Sequence, residues 1–216
     1  MSIKIGNTDI NKIYLGNIEI KKAYLGSDVI YESEPVVLVY FEFTVDTRNT
    51  GTSNDNQFQL PLVFTSLTPN ITVDWGDGTT NSVTAWDDPN KLHTYSTDGE
   101  YAIKIYGDLN SFACWNQLDD DKLLQIKKWG QFKFDTNQTF YGASVMTSSA
   151  EDIPELSSSM YRAFGSTRFD SPINTWDWSP STNWLEIFRS NKYFNQSFTG
   201  VDSSNVTSLT RAFYGT

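Results

Sequence analysis

The spacing of apolar residues changes twice along the chain, and each change marks a new kind of element. Residues 3–32 repeat every ten positions: IKIGNTDINK, IYLGNIEIKK and AYLGSDVIYE align, with Gly6, Gly16 and Gly26 in step and Ile10, Ile20 and Ile30 in step. Asn7, Asn17 and Ser27 follow the glycines. Gly-Asn or Gly-Ser between β-prone flanks predicts a two-residue hairpin turn, because glycine accepts a positive φ. Residues 1–31 therefore read as three hairpins. A module of this size buries too little surface to stand alone, so it is expected to dock on a partner or on its own copies.

After a linker, ESEP, the period becomes two. VVLVYFEFTV, QFQLPLVF and ITVDWGDGTTNSV read as short strands separated by turns. In YAIKIYG, Ala102, Lys104 and Tyr106 fall on one face and Ile103 and Ile105 on the other. Several short strands with regular turns predict a β-sandwich over residues 36–108. From residue 109 a longer period takes over. Phe140, Phe164, Phe188 and Phe213 lie 24, 24 and 25 residues apart, and Phe169 precedes Phe194 by 25. A fixed period near 25 predicts a solenoid whose units close a core only by stacking. The fold expected is mainly β: hairpin module, immunoglobulin-like sandwich, then a leucine-rich-repeat-like solenoid.

These motifs carry family resemblances. VDWGDGT (Val73 to Thr79) followed by HTYSTDGEYAIKI (His93 to Ile105) resembles the polycystic-kidney-disease (PKD) domain, an immunoglobulin-like sandwich that serves as spacer or binding module. FDSPINTWDWSPSTNWLEIF and FNQSFTGVDSSNVTSLTRAF resemble the BspA-like surface repeat, related to leucine-rich repeats. They depart from it at Trp184, Ile187 and Leu209, where Met is expected, and at Val201, where Trp is expected. The short YLGN and YLGS repeats resemble segments of bacteriophage tail and fibre proteins. The last repeat, LTRAFYGT, lacks the polar cap expected of a terminal unit, so the natural polypeptide is expected to continue past Thr216.

Charge narrows the functions. The chain has 216 residues and a formal net charge of -10. Residues 32–108 hold twelve acidic against three basic groups and supply nearly all of it. With no Lys/Arg-rich run, nucleic-acid binding is not expected. No run of about 18 apolar residues predicts membrane insertion. One cysteine, Cys114, excludes an internal disulfide and reads as a small buried apolar residue.

Candidate chemistry is sparse. His93, the sole histidine, reads as a hydrogen-bonding residue at a strand end. Asp74 and Asp77 flank a glycine turn; turn chemistry explains them, and a weak surface calcium site is the alternative. Asp119, Asp120 and Asp121 read as a solvated loop, or as a cap on a helical turn in KLLQIKKW. The aromatic residues Trp176, Trp184 and Tyr193 read as core, and Trp178 as the surface residue left for ligand contact. No cofactor or catalytic group is expected.

Together these features predict a virion protein, made in the host cytoplasm: a phage tail fibre or similar appendage. Tyr14, Leu15, Tyr24 and Leu25 are the expected contacts to other virion proteins. Homo-oligomerisation is expected, with a host-surface glycan or protein bound by the distal repeats. The alternatives are an extracellular bacterial adhesin and a glycan-degrading module.

Overall fold

The computed structural model describes residues 39–115 and 118–216 in full, and the backbone of six short strands within residues 1–38. These strands are β1 (Ile3–Ile5), β2 (Thr8–Ile10), β3 (Ile13–Leu15), β4 (Ile18–Ile20), β5 (Lys22–Leu25) and β6 (Asp28–Glu32). They pair antiparallel in sequence order, β1 with β2, β3 with β4 and β5 with β6. Contacts divide the chain into two units, Met1–Leu38 and Val39–Thr216.

The second unit is built on a six-stranded mixed sheet. Its strands are β7 (Phe41–Asp46), β9 (Asn70–Asp74), β10 (Thr80–Val83), β12 (Glu100–Asp108), β13 (Leu123–Lys128) and β14 (Thr147–Ser148), in the order β10-β9-β12-β7-β13-β14. Neighbours are antiparallel except β13 and β14, which are parallel. Two shorter strands, β8 (Gln57–Gln59) and β11 (Leu92–Thr94), pair separately. Among the described residues no sheet closes into a barrel.

Alternation sets the sheet's buried face. Phe41, Phe43 and Val45 on β7, Ile71 and Val73 on β9 and Ile103 and Ile105 on β12 are all buried. The β-branched and aromatic residues at every second position suit a pleated, half-buried surface. KLLQIKKW, expected as a helical turn, supplies β13 instead: Leu123 and Ile126 enter the same core, opposite Val45 and Phe43. Residues past the expected boundary at 109 thus extend the sheet.

The turn in DWGDGT is fixed by its own side chains. Asp74 Oδ1 accepts from the Gly76 amide and Asp77 Oδ1 from the Thr79 amide. Gly76 has φ +80°, and a Cβ there would lie 2.4 Å from the Ala102 carbonyl oxygen, so glycine is required. Trp75 beneath the turn is fully buried and donates its indole N–H to Asn81 Oδ1. His93 stacks on Trp75 at 4.8 Å and meets the edge of Tyr95 at 4.5 Å. Its Nε2 hydrogen-bonds Asp77 Oδ2 at 2.8 Å, so the two sequence motifs interlock.

The acidic triplet is not a solvated loop. Asp119 and Asp120 are buried at 2% and 4% exposure. Asp119 accepts from the amides of Thr52, Ser53 and Gln59 and from the Ser53 hydroxyl. Beside it, fully buried Lys122 donates from Nζ to the carbonyls of Ser53, Asn54 and Gln57 and to Ser53 Oγ. Burial pushes the Lys122 pKa down, opposed by Asp119 and Asp55. The pair clamps the segment 51–59, satisfying amides and carbonyls that the pairing of β8 with β11 leaves unbonded. Gly51 makes room: a Cβ there would stand 2.4 Å from Asp119 Oδ1.

From residue 130 onward the chain is almost entirely turns, joined by bonds between repeats. The amides of Gln138, Phe140 and Gly142 donate to the carbonyls of Tyr161, Ala163 and Gly165. Arg162, Phe164 and Ser166 donate to Leu185, Ile187 and Arg189, and Glu186, Phe188 and Ser190 to Thr210, Ala212 and Tyr214. Parallel bridges link Lys133 to Glu155 and Ser159 to Asn183 to Ser208. The phenylalanines stack in a column: Phe140 on Phe164 at 6.0 Å, Phe164 on Phe188 at 5.7 Å and Phe188 on Phe213 at 5.8 Å, all within 15° of parallel. Phe169 lies over Phe194 in a second column.

Two places before each stacked phenylalanine stands a residue with left-handed backbone: Gln138, Arg162, Glu186 and Arg211, at φ 54–59°. Their side chains form a ladder. Arg162 Nε donates to Glu186 Oε2 at 2.6 Å, Arg189 joins the same oxygen at 2.9 Å, and Arg211 lies 3.7 Å from Oε1. Burial, the largest effect on Glu186, acts to raise its pKa. Hydrogen bonds from Arg189 and Arg162 outweigh it, so the carboxyl lies below the ordinary glutamate value.

Two outcomes test this frame. Lys122→Met strands three buried carbonyls and the Asp119 charge, and should lower unfolding stability by about 3 kcal/mol in chemical denaturation. Glu186 is harder to protonate folded than unfolded, so its contribution is complete above the unfolded value of about 4.3 and disappears as pH falls through the lower folded value. The stability gap between wild type and Glu186→Gln should therefore close between about pH 5 and about pH 3.

Candidate functional site: an aromatic cleft

Three segments remote in sequence leave large rings at the surface. Phe64 is 74% exposed, Trp86 37% and Trp115 44%. Leu62 and Phe112 bridge their two segments, and the Val63 amide donates to Ser111 O, which ties the segment of Phe64 to that of Trp115. Trp86 precedes the 3₁₀ turn Pro89–Lys91, which Asp88 caps by accepting from the Asn90 amide. The three rings, with Leu62, Val63, Lys91, Cys114 and Leu118, line a cleft of about 330 Å³.

The cleft is held in shape before any ligand arrives. Phe64 meets Trp86 edge to face at 5.9 Å. Lys91 Nζ donates to the Trp86 carbonyl at 2.8 Å and sits 5.4 Å from the centre of its ring, a cation–π arrangement. Burial pushes the Lys91 pKa down, and Asp87 acts against the shift. Trp115 adopts φ 58°, a left-handed backbone that costs a bulky residue about 1–3 kcal/mol. Its indole N–H reaches the Asn137 carbonyl at 3.3 Å. A strained, solvent-facing tryptophan gains little from burial in return, which makes it a candidate for recognition rather than packing.

Chemically the cleft offers flat apolar faces and one cation at its wall. Such a surface stacks against the C–H face of a sugar ring or takes an aromatic or aliphatic side chain.

The sequence-based candidates fall elsewhere. Trp178 is a correction: it is 1% exposed, stacks on Trp176 at 5.8 Å and donates its indole N–H to the Ile173 carbonyl, so it belongs to the core. Repeat stacking covers it, with Trp184 packed against its edge. Trp176 and Trp184 are buried, whereas Tyr193, expected in the core, is 53% exposed with Arg168 over its ring. Tyr14 and Leu15 lie on β3 and Tyr24 and Leu25 on β5, where their side chains fall outside the described residues. Asp74 and Asp77 spend their described contacts on the turn and on His93. Cys114 is buried, and burial raises its thiol pKa well above the ordinary value. Among the described residues no helix is long and apolar enough to cross a membrane.

Sequence reasoning missed the cleft because Phe64, Trp86 and Trp115 share no motif. The one local signal was that all three lie outside the DWGDGT motif and the phenylalanine repeat.

If Trp115 serves recognition, removing it should cost little structurally. Trp115→Gly relieves the left-handed strain and should change unfolding stability by less than about 1 kcal/mol, whereas Trp129→Ala, in the core, should lose about 4 kcal/mol. Thermal melts of the two variants check the contrast.

Residues 122–216 match the family described as "Mycoplasma protein of unknown function, DUF285", a match spanning less than half of the chain. No curated protein and no solved structure matches the chain.

Proposed function

We propose that the protein is a non-catalytic structural component of a virion, a tail fibre or similar appendage that holds on at its N-terminus and binds the host surface further along. In this reading residues 1–31 attach to other virion proteins through Tyr14, Leu15, Tyr24 and Leu25. Residues 36–108, with the DWGDGT and HTY motifs, are an immunoglobulin-like, PKD-related sandwich. The repeats beyond it are coils of a BspA-like solenoid. Copies of the chain assemble as a homo-oligomer, so weak individual contacts add up to avid binding. No cofactor is invoked.

The observation that carries the binding role is the preformed aromatic cleft, with Trp115 held on strained backbone and Lys91 fixing Trp86. Its apolar walls favour a host-surface glycan, whose sugar rings present flat C–H faces. The stacked repeats support a holding role, since a column of rings and interlocked amides is stiff along its length. The ten-residue YLGN repeats favour the virion setting.

One observation favours a second reading. The family matched by residues 122–216 is described from Mycoplasma, which favours a bacterial over a virion setting; in that setting the reading is a cell-surface adhesin that uses the same cleft.

Gold-labelled antibody against the protein should decorate intact phage particles, and deletion of residues 1–31 should abolish that labelling while residues 39–216 still melt cooperatively. Labelling of bacterial envelopes in uninfected cells would favour the adhesin. Trp115→Gly should leave labelling intact and reduce particle adsorption to cells.

A further inference from the structure

The repeats bring together charges that the sequence scatters. The four equivalent segments 135–142, 159–166, 183–190 and 208–215 contain three arginines, Arg162, Arg189 and Arg211, and two acids, Asp135 and Glu186. This is a local excess of one positive charge in a chain of net charge -10. Glu186 is 7% exposed at its side chain and serves all three guanidiniums. Arg162 reaches one further acceptor, Gln138 Oε1. The Arg211 guanidinium makes no hydrogen bond among the described residues beyond its 3.7 Å approach to Glu186, and the side chain is 62% exposed. Each guanidinium carries five N–H donors, so most remain for an outside acceptor.

The rings beside them orient the stripe. Arg162 lies 5.0 Å from the centres of both Tyr141 and Tyr161, and Arg189 lies 5.9 Å from that of Tyr214. Gly165 permits this packing, because a Cβ there would stand 2.9 Å from the Tyr141 ring. Successive repeats are separated by the stacking distance of their phenylalanines, 5.7–6.0 Å. The arginines do not share one register: Arg162 and Arg211 stand two places before their phenylalanines and Arg189 one place after, so the three guanidiniums converge around Glu186 with tyrosine rings beside them.

We infer that this arginine–tyrosine stripe is a second binding site, distinct from the aromatic cleft, for an acidic sugar polymer. Guanidinium forks match carboxylate or phosphate oxygens, and tyrosine rings match the sugar faces between them. Three arginines are too few for duplex DNA, whose binding rests on neutralising many phosphates, against a molecule that is acidic elsewhere. The inference rests on the host-surface reading for its setting, but its assay uses purified protein and polymer, so its failure leaves the particle labelling experiment untouched.

The test is titration calorimetry of the full chain with polygalacturonate, with a phosphate-linked glycerol polymer, with uncharged dextran and with duplex DNA. One or both acidic polymers should bind and dextran should not; the arm that binds identifies carboxylate or phosphate as the acid group. Binding should weaken as NaCl rises from about 50 mM to about 500 mM. Arg211→Gln should weaken it about fivefold. Arg48→Gln, which removes the same charge from an exposed arginine in the turn after β7, should leave affinity unchanged. Absence of binding to both acidic polymers, an equal effect of the two variants, equal binding of dextran, or tighter binding of DNA would each overturn the inference. Circular dichroism of Arg211→Gln verifies folding, and if it misfolds, Arg189→Lys replaces it, retaining charge and losing only the fork.

Discussion

Backbone hydrogen bonding across repeats is the constraint from which the second unit is built. A segment made of turns cannot satisfy its own amides and carbonyls, and buried ones must find partners. Here the amides at every second position of one repeat find them in the carbonyls of the next, from Gln138 through Ser190. The pattern begins in the sheet: β13 pairs antiparallel with β7 on one side and parallel with β14 on the other. That strand is where sheet and repeats share one set of bonds, so the phenylalanine column continues a core begun by Phe41, Phe43 and Phe112. Phe112 touches both Phe41 and Phe140, which makes the junction aromatic throughout.

The ladder also explains the strained backbone. Turning the chain tightly enough to keep each phenylalanine above its predecessor places Gln138, Arg162, Glu186 and Arg211 in the left-handed region. None is glycine, so each position carries a cost of about 1 kcal/mol or more. What is gained is a side chain at every one of those positions, and at three of them it is charged. Tight turning thus generates the ionic stripe along with the column of rings.

Much of this was legible in residue order. The 24- and 25-residue spacing of the phenylalanines anticipated their stacking, and alternation in YAIKIYG anticipated the buried Ile103 and Ile105. DWGDGT and HTY were legible as turn and strand, though not their meeting through Trp75, His93 and Asp77. The failures share one cause, partners distant in sequence. Asp119 and Lys122 look like surface charges until the segment 51–59, more than sixty residues earlier, closes over them. KLLQIKKW has no local reason to prefer a strand; β7 supplies it. Trp178 looked spare because the repeat pattern does not call for it, yet Trp176 and Trp184 enclose it. The cleft was invisible because its rings come from three segments that meet only in the folded chain.

Contacts between neighbouring repeats also govern how such a chain tolerates insertions. A duplication of a whole 24- or 25-residue unit preserves ring over ring and donor over acceptor, adding one step of length and leaving every other step in place. A single extra residue is absorbed outside the stacked segments: Phe188 and Phe213 are 25 residues apart rather than 24, yet they stack at 5.8 Å, against 5.7 Å for Phe164 and Phe188. The reach of the repeats is thus set in whole units, each adding one stacking step of 5.7–6.0 Å.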